Sequence, residues 1–144
     1  MDAAQTAATM VADAEAMPQI WRHGFLQTID DYDSDHRFHG VDSAAAMFAD
    51  EPPLTGDDRV DAAIAALAEY LARRDGWRVP DWALQDERST LDWWFVDDLP
   101  ALQAFALRES PSSFRRRGVF IGDGGLDRVL SAADNVRSLE EPSA

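Results

Sequence analysis

The sequence predicts an all-α fold, a compact single-domain bundle of about five to six helices with irregular connections. Three observations point there. Apolar side chains recur at helical spacing in several separate windows, with turn signals between them. No two regular strands flank a turn. No strand–helix–strand spacing of the doubly wound kind is visible, and no internal repeat. A chain of 144 residues with 46% hydrophobic side chains, five Trp and seven Phe can bury a core of its own. The domain is expected over 18–131, after a loosely ordered Ala-rich segment at 1–17 and before a C-terminal tail at 132–144.

Taken in order, Pro18 is placed to open a helix. Trp21, Phe25, Thr28 or Ile29, and Tyr32 then form its apolar stripe. Asp30, Asp31, Asp33 and Asp35 follow, and carboxylates oppose the dipole at a helix C-terminus. The helix is therefore expected to end between Asp30 and Tyr32, and 33–54 to be irregular with one short helix at 43–49. Residues 51–57 hold two prolines and a glycine and read as a break. The clearest helix comes next. Thr55 or Asp57 can cap it, Val60, Ile64, Leu67 and Leu71 line one face, and Gly76 closes it. Asp57, Asp58 and Asp61 sit at its positive end, Arg73 and Arg74 at its negative end.

An aromatic connection runs from Trp77 to Phe95, with a short helical piece near 81–87 and a possible capped turn from Ser89 to Asp92. The next helix is capped by Asp98, with Pro100 in its first turn. Leu99, Ala101, Leu102, Ala104, Phe105, Ala106 and Leu107 leave it almost no polar face, which predicts a central, buried helix. Ser110-Pro111 stops it, a helix over 111–117 ends at Gly118, and Val119-Phe120-Ile121 is read as extended. Leu126, Val129 and Leu130 supply a last helical stripe.

Composition narrows function. There is no Cys, so neither disulfides nor thiolate zinc sites can form. The first arginine is Arg22, no basic and apolar leader precedes it, and no long apolar run exists, so a cytoplasmic protein without a membrane span is expected. All 13 cationic side chains apart from His are Arg, against 27 Asp and Glu, and the net charge is -14. A chain so acidic repels phosphate backbones at long range, which argues against direct nucleic-acid binding. It can associate quickly with a basic protein partner.

Several residue groups invite chemistry. Asp31, Asp33 and Asp35 have the alternation of a calcium loop, with Asp42 at the twelfth position. His36 stands where such a loop needs Gly, and Asp42 is shorter than the usual Glu. His36 and His39 could join these carboxylates on a transition metal, the alternative reading being a small metal-dependent enzyme or metal-binding domain. His23 has no partnered nucleophile. Asp97-Asp98 beside aromatics fits a helix cap better than glycoside chemistry. Gly122-Asp123-Gly124-Gly125 lacks the Lys and the strand of a phosphate loop. No catalytic residue and no cofactor emerge.

Two features remain. Trp77, Trp82, Trp93, Trp94 and Phe95 are too many large rings for all to be fully enclosed in a small domain, so part of them is expected on a partner-binding surface with Asp57, Asp58 and Asp61. Arg115, Arg116 and Arg117 fan apart on a helix and alternate on a strand, so at least one must turn inward. Carboxylates outnumber them, and structural ion pairs that staple the C-terminal segment to the acidic body are expected.

The run LPALQAFALRESPSSFRRRGVFI (99–121), preceded by Trp94-Phe95, resembles the C-terminal half of a group of uncharacterised actinobacterial proteins. LTGDDRVDAAIAALAEYL (54–71) is similar to their middle helix. The resemblance spans about residues 54–130. It implies an antitoxin-like binding protein, a small partner of a nucleotidyltransferase-type toxin, and carries no catalytic residue. The helix-turn-helix domain that some members add has no counterpart here, and a repressor role is not implied.

Overall fold

The computed structural model describes Gln5, residues 24–96 and residues 100–121. The described part is mostly helical. Its elements are α1 (Leu26–His39), α2 (Val41–Ala46), α3 (Asp58–Asp75), a 3-10 turn (Asp81–Leu84), β1 (Trp94–Phe95), α4 (Pro100–Glu109), α5 (Ser112–Arg115) and β2 (Val119–Phe120). Of the stripe anticipated from Trp21 to Tyr32, Phe25, Thr28, Ile29 and Tyr32 are buried as expected, whereas Trp21, the residues Asp97-Asp98, the glycine run 122–125 and the final stripe at Leu126 lie outside the described residues.

The core is built around α3. Its residues from Val60 to Glu69 are buried without interruption, and Leu71 and Ala72 continue it. A helix enclosed on every side needs small residues, and Ala62, Ala63, Ala65, Ala66, Ala68 and Ala72 let its neighbours approach closely. α5, the 3-10 turn and β2 pack on it. The Asp57 side chain accepts from the Arg59 backbone N–H at 3.0 Å, and Gly76 terminates the helix at φ 80°.

α1 departs from expectation: it runs on through Asp31, Asp33 and Asp35 to His39. Each of these carboxylates has a partner that satisfies it within the helix or across the fold. Gln27 donates to Asp31 one turn earlier, Arg74 donates to Asp33 at 2.9 Å, and Ser43 donates to Asp35 at 2.9 Å. His36, Arg37 and His39 occupy the last turn, where positive charge suits the dipole. Gly40, at φ 91°, then redirects the chain into α2. Tyr32 joins α1 to the end of α3. Its hydroxyl donates to Asp75 at 2.7 Å and accepts from the Trp77 indole at 2.8 Å.

α4 is the second departure. Only Ala106 is buried, while Leu102, Phe105 and Leu107 are exposed. The core closes on α3 without it, and α4 touches the body chiefly at β2. Its C-terminus is held firmly: Ser110 Oγ donates to the Ala106 carbonyl and accepts from the Ile121 N–H at 2.9 Å.

The third departure is a pair of short parallel strands. Trp94 pairs with Val119 and Phe95 with Phe120, with α4 and α5 as the crossover. Two-residue strands carry no periodic signal, and the mostly helical class stands. Gly118 precedes β2 at φ 80°, and a Cβ there would overlap the Thr90 hydroxyl. Thr90 in turn donates to the Arg117 carbonyl from both its N–H and its hydroxyl. Gly118→Ala is expected to cost about 1–3 kcal/mol, read as a lower urea midpoint.

Candidate functional site

The aromatic residues divide sharply. Trp82 is 5% exposed, and its indole donates to the Phe48 carbonyl at 2.8 Å. Trp77 is partly buried and stacks on Phe48 at 6.0 Å. Trp94 is partly buried in β1. Trp93 is 69% exposed and Leu91, just before it, 92%. The Trp93 ring leans on Phe120 at 5.1 Å, and Phe120 stacks on Phe95 at 5.0 Å. Leu91 and Trp93 thus stand out from a rigid aromatic base, with exposed Asp92 between them.

The acidic residues expected beside them are mostly engaged in building the fold. Asp57 caps α3. Asp58 accepts from the Leu91 N–H at 2.7 Å and so fixes the root of the outward loop. Asp61 is buried, and Thr55 donates to it from N–H and hydroxyl at 3.0 and 2.9 Å. Trp82 and Asp61 therefore drop out of any outward surface. Trp82 is drawn into the core by its area, and Asp61 sits in the stretch of α3 from Val60 to Glu69 that has no exposed face.

Exposed apolar side chains that sequence reasoning missed lie on α4, the helix that packs on β2. α4 presents Leu102, Phe105 and Leu107 outward, and the Arg108 guanidinium lies 5.4 Å from the Phe105 ring. The signal is the almost wholly apolar composition of this helix, which by pattern alone points to the interior.

The arginine triplet divides as well. Arg117 is buried; its Nη1 donates to Glu69 at 2.8 Å and to the Ser113 carbonyl, and its Nη2 donates to the Ala83 carbonyl. Arg116 also donates to Glu69. Arg115 differs from the ion pairing expected of it: it donates to the carbonyls of Arg108 and Ser110, both at 2.9 Å, and so caps the C-terminal end of α4. Glu69, which no motif singled out, is the hub. Its side chain is fully buried and Arg73 reaches it too, at 3.0 Å. Burial raises the Glu69 pKa, but hydrogen bonds from Arg117, Arg116 and Arg73 outweigh that and lower it to about 2. The available signal was a single carboxylate within the otherwise Ala-, Leu- and Ile-rich run 62–72 of α3. Burial also lowers the Arg117 pKa; Glu69 opposes this, and the charges of Arg116 and Arg73 add to it.

The metal-like segment does not assemble. On a helix, Asp31, Asp33 and Asp35 point to different sides, unlike the loop a calcium site requires. Asp33 is buried against Arg74, Asp35 is turned to Ser43, and His39 is exposed. Among the described residues, no three His, Asp or Glu side chains gather into a metal site. No described helix is long and apolar enough to cross a membrane. Compared with protein-family models, curated proteins and solved structures, the chain shows no match.

Proposed function

We propose that this chain is an acidic protein-binding module, antitoxin-like in role, that neutralises or positions a basic protein acting on nucleic acid. Such a partner, a nucleotidyltransferase- or ribonuclease-type toxin, would present an electropositive groove shaped for RNA. The reading is carried by one observation: Leu91 and Trp93 project from a fixed aromatic base on a chain of net charge -14. Bulky apolar anchors on a molecule of strong net charge are what a fast-docking, specific interface needs. The field draws the basic partner in, and the anchors decide the residence time. The exposed apolar side chains of α4 add further apolar surface, and the family resemblance of 54–130 points the same way.

The test is affinity capture from the native host, with the full chain as bait at low and at high salt. A basic, nucleic-acid-acting protein should be retained at low salt and released at high salt. Trp93→Ala should weaken its binding by about 2 kcal/mol or more without lowering the melting temperature appreciably. Recovery of no protein, or a partner held equally by the Trp93→Ala bait, would count decisively against the reading.

A further inference from the structure

Three guanidinium groups share one carboxylate on this molecule. Arg73, Arg116 and Arg117 all donate to Glu69, which leaves two positive charges in excess at one spot of a strongly acidic chain. Arg117 is buried and has both terminal nitrogens occupied by protein acceptors. The other two are not used up. The Arg73 and Arg116 side chains are 62% and 55% exposed. Each spends one terminal nitrogen on Glu69, and among the described residues no other acceptor meets the rest of either guanidinium. Two cations are therefore held side by side by a common buried anion, with donors turned to solvent.

We infer that Arg73 and Arg116 form a binding site for a small oxyanion of the phosphate class, with Glu69 and Arg117 as the buried frame that holds them in place. Planar forks suit tetrahedral oxyanions, which accept two parallel N–H bonds from each. Their placement is fixed from beneath: Glu69 belongs to α3, and Arg116 follows α5, which packs on α3. A bound dianion would relieve the repulsion between like charges and tie the two helices together. The global field sets the ligand's size. An extended polyanion would feel the repulsion of the whole chain along its length, whereas a compact dianion feels mainly the local excess. The site is independent of the partner surface around Trp93, and the two readings can fail separately.

The test uses inorganic phosphate, titrated into the full chain at constant ionic strength maintained with chloride. Melting temperature and the side-chain Nε–H resonances of Arg73 and Arg116 are followed. Melting should rise saturably and those two resonances should move together. Arg73→Gln combined with Arg116→Gln keeps the buried Glu69–Arg117 pair and should weaken phosphate binding by about tenfold or more. If the double variant does not fold, Arg73→Gln alone, on the more exposed side chain, should show a clear part of that loss. A response no different from chloride, or undiminished in the variants, overturns the assignment. So does a short single-stranded oligonucleotide that binds more tightly than phosphate at matched ionic strength.

Discussion

Glu69→Gln is expected to destabilise the fold by about 3–5 kcal/mol, because it strands a buried cation. Gln preserves the shape of the side chain and one acceptor oxygen. It removes the charge that neutralises Arg117, and it leaves Arg73 and Arg116 to repel one another and Arg117. Urea unfolding monitored by tryptophan fluorescence gives the measurement. Replacing both buried members, Glu69→Leu with Arg117→Met, should recover much of the loss, since a buried ion pair exchanged for packed apolar side chains is often neutral. A Glu69→Gln protein as stable as the parent would mean that the carboxylate does not hold Arg117. The same group sets an acid limit. Glu69 falls from the ordinary value of 4.5 to about 2 in the folded chain. Between those values the unfolded chain binds the proton and the folded chain does not, so stability falls as pH falls. The contribution, about 3 kcal/mol, is complete above about pH 4.5 and gone below about pH 2. Over that window the parent should lose stability faster than Glu69→Gln, in which the group cannot titrate.

How far the sequence carries can be judged at particular residues. α3 was legible because every local signal agreed: the Asp57 cap, the four-three-four apolar spacing, Gly76 at the end and charges aligned with the dipole. α1 was cut short because the dipole rule is local. The acids it should have stopped at are satisfied by Arg74 and Ser43, which lie 41 and 8 residues away along the chain. Pattern showed that the arginine triplet must turn inward somewhere, but not which of 27 carboxylates would receive it. That choice depends on α5 packing against α3. The tryptophans repeat the lesson. Trp82 and Trp93 have the same ring and similar neighbours in sequence, yet one bonds to the Phe48 carbonyl in the core and the other stands in solvent. Composition sets how many large rings cannot be fully enclosed. Only the tertiary arrangement selects which.

The exposure of α4 leads to the other large effect, a contrast between two phenylalanines nine residues apart. Phe114 in α5 is fully buried, with its ring 6.0 Å from Phe25 and 6.2 Å from Tyr70. Phe114→Ala should cost about 3–5 kcal/mol, through lost transfer energy and the cavity left between α3 and α5. Phe105 in α4 is 51% exposed and leans on Arg108. Phe105→Ala should cost about 1 kcal/mol or less, because half of its surface is already in water. Sequence pattern alone ranks the two the other way, since Phe105 lies in the more apolar helix. Chemical denaturation of both variants decides between the rankings. Equal and large losses would place α4 inside the core and remove it from the surface offered to a partner. A tolerant Phe105 that nonetheless weakens capture of a basic partner when changed to Ala would assign that side of α4 to binding. Its outward leucines would then be retained for an interface, since the fold does not need them.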